Sequence, residues 1–299
     1  MIKRTLCFEN PAYLSLKNEQ LLIKWPDSER EDVSIPIEDI GVLLLENRQI
    51  TITNAVIDRM LSNNCALITC DASHMPVGLM LPLCGNTTQT KRFRQQIESS
   101  LPLKKQLWQR TISAKISNQA AVLSECCHCE IGNMKVWSKN VRSGDADNLE
   151  ARAAVYYWSN IFREIDNFSR DRDGGYPNNF LNYGYAILRA VMARALVSSG
   201  LMPTLGIFHR NKYNAYCLAD DIMEPYRPYV DRLVLEIIRT ESSQELTTSI
   251  KRRLLSIPTI EVCIDGKRSP LMIAVSSTTA SLQRCYANND SSELLYPIM

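Results

Sequence analysis

Residues 182–195 read Asn-Tyr-Gly-Tyr-Ala-Ile-Leu-Arg-Ala-Val-Met-Ala-Arg-Ala, apolar nearly all round and interrupted only by Arg189 and Arg194 before Gly200 stops the run. A helix without a polar face must be enclosed by other helices, so this segment belongs in the middle of a bundle. Its surroundings agree. From Thr90 the periodicity is helical for thirty residues with few turn signals, and helical strings dominate to about residue 255. Alternation returns over 256–280, where Ile260–Ile264 followed by Asp265-Gly266-Lys267 predicts a hairpin. The last twenty residues are weakly patterned and are expected to be mobile.

The first 85 residues follow a different rule. Thr5–Phe8, Tyr13–Leu16, Leu21–Trp25, Val33–Ile35, Gly41–Leu45 and Cys65–Cys70 are strand-like runs separated by polar or Pro-containing breaks, with a short helix predicted from an Asn54 cap to Leu61. Gly85-Asn86-Thr87-Thr88 reads as a linker. The expected fold is therefore α+β: a small β-rich N-terminal domain over 1–85, then a larger all-α domain over 86–299.

Composition narrows the function classes. Hydrophobic residues are 45% and charged residues 22% of 299, ordinary values for a globular chain. The longest aliphatic run, Val42–Leu45, is far short of a membrane span, and the N-terminus lacks the apolar core of a secretory signal. A cytoplasmic protein without membrane contact is expected. The ten scattered cysteines fit a reducing compartment as small buried hydrophobes, including Cys126-Cys127-His128-Cys129, whose adjacency makes a closed tetrahedron difficult. Net charge is only +2, yet residues 91–119 carry seven basic residues against the single acid Glu98. Such a stripe can follow a phosphate backbone or form a solvated helix face.

No phosphate loop, paired-His zinc helix or spaced Cys pair is present. Of three histidines, His209 stands out, flanked by Arg210, Asn211, Lys212 and Asn214. Just beyond it, Leu218–Pro228 packs Asp220, Asp221 and Glu224 beside Pro225 and Pro228. Clustered carboxylates repel one another unless a cation lies between them. The prolines remove the donors for the carbonyls of Asp221 and Glu224, so the helix should kink there. Upstream, Asp145 or Asp147 is a natural cap for the helix that carries Glu150 in its first turns.

Glu150 after its Asp-rich cap, NYGYAILRA at 182–190, GIFHRNKYN at 206–214 and LADDIMEPYRP at 218–228 together resemble the CRISPR-associated integrase family, the first-numbered Cas protein of spacer acquisition, with wording nearest members from type II systems. The resemblance implies a β-rich dimerisation domain and a helical catalytic domain. It implies Glu150, His209 and Glu224 as catalytic residues and ligands of Mg²⁺ or Mn²⁺, with Asp221 in support. The implied activity is insertion of new spacers into a CRISPR array, by attack of a DNA 3′-hydroxyl on a phosphodiester. The implied partners are protospacer and CRISPR-repeat DNA, a second copy as homodimer, and the second-numbered Cas protein in a heterohexameric complex. Alanine at any of the three ligands should abolish joining and leave the fold largely intact. Lys91, Arg92, Arg94, Arg189, Arg210, Lys212 and Arg227 are the candidate DNA-backbone contacts. Tyr183, Tyr185 and Tyr213 could stack on a splayed end, although burial in the core is the plainer reading. The alternatives are a non-catalytic DNA-binding scaffold and a purely hydrolytic nuclease.

Overall fold

A computed structural model describes residues 3–27 and 30–299, which divide into two units with the boundary between Thr87 and Thr88. In the first unit the strands are β1 (Arg4–Phe8), β2 (Tyr13–Lys17), β3 (Gln20–Lys24), β4 (Val33–Pro36), β5 (Ile40–Leu45) and β6 (Thr51–Ile52). Helix α1 (Asn54–Ser62), β7 (Ala66–Cys70) and β8 (Pro76–Met80) complete it. One sheet runs β1-β5-β7-β8, its first three strands parallel; the other runs β4-β3-β2-β6. The run at Gly41–Leu44 is fully buried because β5 is central in its sheet. Leu14, Leu21, Ile23, Ile40, Leu43, Val56, Met60 and Leu67 build the core, with Val56 and Met60 supplied by one face of α1. Asn54 is the first helical residue and not its cap; Thr53 holds that position in extended backbone.

The second unit is helical apart from one hairpin. Its helices are α2 (Gln89–Ile97), α3 (Leu101–Cys127), α4 (Gly132–Asn140), α5 (Leu149–Ile161), α6 (Asn178–Ser198), α7 (Cys217–Met223), α8 (Arg227–Thr240), α9 (Thr248–Leu254) and α10 (Leu271–Asn288). Strands β9 (Glu261–Ile264) and β10 (Lys267–Pro270) pair antiparallel between α9 and α10. The domain expected to be all-α thus contains this β excursion, and residues 271–280, expected to alternate, are helical. Ser100 ends α2 and starts α3, its hydroxyl accepting the Leu103 N–H at 3.3 Å.

Helix α6 is the enclosed element. Within 182–195 every residue is buried except Asn182, Ala186 and Arg189, which are half-buried. Gly184 lets α8 approach: a Cβ there would lie 2.6 Å from Val230 Cγ1. The C-terminus is anchored, against expectation. Tyr296 shares a 2.8 Å hydrogen bond with Thr111, the Met299 N–H donates to Asn118 Oδ1 at 3.1 Å, and Ile298 bridges Cys263. Buried side-chain partners on α3 supply what the terminal sequence pattern lacked.

The core also holds a titratable group. Asp231 on α8 accepts hydrogen bonds from Tyr157, at 3.0 Å, and Tyr185, and burial pushes its carboxyl up to about 7. An acid whose folded pKa exceeds its unfolded value binds its proton more tightly when folded. Its contribution to stability is whole below about pH 4 and is lost as pH rises through 7. Asp231→Asn should remove that loss. Relative to the parent, the variant's unfolding free energy should gain up to about 4 kcal/mol between pH 4 and pH 8. Denaturant titration at each pH reads it, and a pH-independent difference would refute the assignment.

Candidate metal centre

Three chain segments converge in the helical unit. The first is the start of α5. Asp145 accepts the Leu149 N–H at 2.9 Å and the Glu150 N–H at 3.0 Å, while Asp147 pairs with Arg142. Asp145 is therefore the carboxylate at the positive end of α5, and it fixes the backbone from which Glu150 projects. The second is the break between α7 and α8. Pro225 and Pro228 stand where the helix would need donors, and residues Glu224–Tyr226 form a single 3-10 turn. Buried Asn118 of α3 donates to the Pro225 carbonyl at 2.8 Å, which holds this turn in place.

The third segment is the loop from Leu201 to Tyr216. Phe208 stacks on buried Trp108 of α3, ring centroids 4.3 Å apart, and His209 meets the same indole edge-on at 5.6 Å. Asp221, fully buried on α7, accepts the Phe208 N–H at 2.9 Å and the His209 N–H at 3.3 Å, and bonds His209 Nδ1. Gly206 permits this approach: a Cβ there would lie 2.8 Å from Asp221 Oδ2 and would collide with the His209 carbonyl. With Nδ1 engaged, the outward ring nitrogen is Nε2. A carboxylate behind an imidazole that faces a cation site sets its tautomer and orientation. The hydrogen bond from Asp221 raises the His209 pKa above its ordinary value despite partial burial, and the charges of Glu224 and Glu150 add to the effect.

The clustered acids do not share one cation; each has its own partner. Asp220 takes Arg189 Nε and Asn214 Nδ2 at 2.6 and 2.7 Å, and Asp221 takes His209. Glu224 takes Arg227 Nε at 3.0 Å and Lys115 Nζ at 2.7 Å. Lys115 also lies 2.7 Å from Glu150 Oε1, so one ammonium bridges the two expected ligands. Since each oxygen is 2.7 Å from Nζ, the two carboxylates are at most 5.4 Å apart. Burial alone would raise the Glu224 carboxyl, but Arg227 and Lys115 hold it below the usual range. The same carboxylates raise Lys115 against the opposing pull of burial.

The donor set suits a divalent cation. Glu224 Oε2 is buried and has an ammonium near it but no aligned hydrogen-bond donor. Two carboxylates and an imidazole are the chemistry Mg²⁺ or Mn²⁺ takes while leaving positions for phosphate oxygens. The ligand atoms of Glu150, His209 and Glu224 do not gather within 4.8 Å of one another. The Lys115 ammonium stands between the carboxylates. Sequence reading placed Lys115 in the basic stripe and missed this role, because the lysine is seventy residues or more from its His and second Glu partners in the chain.

The candidate DNA contacts divide. Arg189 and Arg227 are committed to Asp220 and Glu224, and Arg92 donates to the Ser199 carbonyl at 2.8 Å. Lys91, Arg94, Arg210 and Lys212 are exposed. Tyr183 and Tyr185 are core residues; Tyr213 is 85% exposed, with Lys212 over its ring. Cys129 is buried and receives an Arg163 N–H at 3.0 Å, and the Cys127 thiol reaches the Ile161 carbonyl.

The model of the family described as CRISPR associated protein Cas1 matches residues 6–255. The chain belongs to the Cas1 family. A relative, the CRISPR-associated endonuclease Cas1 of Neisseria meningitidis serogroup C (strain 8013), is 36% identical over 99% of this chain and 96% of its own length, and a type II origin is consistent with it. A casposase bound to integration product superposes with a TM-score of 0.73 at 19% identity, over 97% of this chain and 92% of that one. A chain of a Cas6-RT-Cas1–Cas2 complex superposes with a TM-score of 0.75 at 19% identity, over 95% of this chain and 35% of that one. The α+β fold expected from the sequence is thus the Cas1 fold. Among the described residues, no helix is long and apolar enough to cross a membrane.

Proposed function

We propose that this Cas1 chain is a metal-dependent DNA integrase that inserts spacers into a CRISPR array by transesterification. The carrying observation is the convergence of Glu150, Glu224 and His209, with both carboxylates on one ammonium and the imidazole clamped by Asp221. Glu150, His209 and Glu224 would hold Mg²⁺ or Mn²⁺. The ion would polarise a phosphodiester and acidify the attacking hydroxyl. In the reaction the 3′-oxygen of the incoming strand forms a bond to phosphorus as the target's own P–O3′ bond breaks. One proton moves, net, from the attacking to the leaving hydroxyl. The number of phosphodiester bonds is unchanged, so no external energy source is needed.

The chain's own residues supply position. Asp221 and the Trp108–Phe208 stack fix the imidazole, Asn118 fixes the turn under Glu224, and Asp145 fixes the start of α5. Exposed Lys91, Arg94, Arg210 and Lys212 can hold DNA backbone without surrendering an internal ion pair. The Cas1–Cas2 assembly and the integration-product complex among the structural neighbours support DNA, a second copy of this chain and a Cas2 protein as partners.

Supercoiled plasmid and a short duplex with free 3′-hydroxyls provide the test. Joined product is expected with Mn²⁺ or Mg²⁺, none with EDTA, and none from dideoxy-terminated duplex. Metal-dependent nicking that ignores the 3′-terminus would assign a hydrolytic nuclease instead. No cleavage or joining with any divalent ion would leave only the scaffold reading.

A further inference from the structure

A second cluster of ligand-bearing side chains lies wholly within the N-terminal unit. The parallel strands β1, β5 and β7 run side by side, Cys7 level with Leu44 and Leu45 with Thr69, so their C-terminal ends fall on one edge of the sheet. Chemistry-bearing residues collect there: Cys7 near the end of β1, Glu9 just past it, Glu46 just past β5, and His74 in the β7–β8 turn. Residues just beyond the carboxyl ends of parallel strands are where open sheets place ligand sites.

The local backbone is firmly built. The Glu46 and Asn47 N–H groups both donate to the Phe8 carbonyl at 3.1 Å, and the Asn47 side chain donates to the Glu9 carbonyl at 3.0 Å. Asp71 caps the turn, accepting the Ser73 and Met75 N–H groups at 2.8 and 3.0 Å. His74 sits in that turn with φ at +62°, a left-handed conformation that directs its ring over the edge.

The ligand atoms of Cys7, Glu9 and Glu46 all lie within 4.8 Å of one another, the only such trio of His, Cys, Asp or Glu among the described residues. Glu46 is 3% exposed and divides its two oxygens, Oε2 toward the Cys7 thiol at 3.7 Å and Oε1 toward His74 Nδ1 at 2.9 Å. In a tetrahedral zinc site, bond lengths near 2.0 and 2.3 Å put a sulfur and an oxygen ligand about 3.5 Å apart, and nitrogen and oxygen ligands about 3.3 Å apart. Both separations are within half an ångström of those values.

We propose that Cys7, Glu9, Glu46 and His74 form a zinc site that ties β1, β5 and the β7–β8 turn together. A thiolate and an imidazole beside carboxylates select a borderline-soft divalent ion over Mg²⁺. Burial, together with the nearby Glu46 and Glu9 carboxylates, raises the Cys7 thiol well above its ordinary pKa. Without a cation the sulfur keeps its proton. Zinc replaces that proton and neutralises part of a crowded anionic corner. His74, its side chain 56% exposed, stands on the solvent side and closes the site from outside.

The experiment uses the full chain, stripped by chelator and titrated with Zn²⁺ alone, with bound metal counted by elemental mass spectrometry. Co²⁺ substitution supplies the spectroscopic signature of a tetrahedral thiolate site. One zinc per chain with a cobalt–thiolate charge-transfer band is expected. Both should persist in Glu150→Ala and in Cys127→Ser, which separates this site from the helical unit's ligands and from its cysteine cluster. Cys7→Ser should abolish the band, and His74→Ala should weaken zinc binding at least about tenfold. His74 is at the rim, so its variant keeps the test sound should Cys7→Ser disturb the sheet. Three results would overturn the proposal: no zinc bound by the parent, a cobalt band unchanged by Cys7→Ser, or zinc affinity unchanged by both variants.

Discussion

Glu150→Ala is expected to lower strand joining by about a thousandfold or more, since several kcal/mol of charge stabilisation at the phosphorus go with the ion it helps to hold. The same substitution should leave melting nearly unchanged. The Glu150 side chain is 24% exposed, and Lys115 keeps Glu224 as a partner when Glu150 is gone. Glu224→Ala should lose joining to the same extent but for two reasons at once. Its carboxylate is 8% exposed and compensates both Lys115 and Arg227. Removing one partner of a buried ion pair costs about 3–5 kcal/mol, which for a unit of this size is a fall in Tm of roughly 6–20 °C. From the sequence, all three alanine variants were expected to leave the fold largely intact; the structure restricts that to Glu150 and His209. Joining assays beside thermal melts read both quantities. Glu150→Ala protein that joins within about tenfold of the parent would remove Glu150 from the site.

Lys115→Met should produce the second large effect, on stability and its dependence on metal. The ammonium compensates two carboxylates at most 5.4 Å apart. With methionine there, Glu150 and Glu224 face each other with only Arg227 for compensation, and the metal-free protein should lose about 3–5 kcal/mol. A divalent ion can then occupy the vacated position without competition. The Tm of Lys115→Met should therefore climb with added Mn²⁺ over a range in which the parent's barely moves, following the linkage between ligand binding and folding. Equal Mn²⁺ responses in variant and parent would show that the lysine and the ion do not compete for the same carboxylates. This measurement needs no DNA and no turnover, so it tests the ligand assignment separately from the integrase reading.

The sequence alone carried the elements that depend on local periodicity and on special residues. An apolar run with only Arg189 and Arg194 in it can be stable only when enclosed, and α6 is enclosed. Prolines 225 and 228 can donate no hydrogen bond, and the chain breaks into a 3-10 turn between α7 and α8. Gly41–Leu45 had to be a central strand. The ligand candidates were reached through motif wording, because Glu150 beside three alanines has no local signal that separates it from a surface glutamate.

Pairings that join distant segments were decided only by tertiary structure, because a side chain's charge environment is set by neighbours the local sequence does not contain. Lys115 looked like one member of a basic stripe until folding set it between Glu150 and Glu224. Asp220, Asp221 and Glu224 looked like one cluster, but the 3-10 break and the loop before α7 send them to Arg189, His209 and Lys115. Cys7 read as a small hydrophobe, and parallel strand pairing places it against Glu9 and Glu46. The weakly patterned C-terminus became ordered because Thr111, Asn118 and Cys263 were waiting for its hydrogen bonds. Residue type and spacing determine which local shapes are possible; burial and long-range partners determine what each titratable group does.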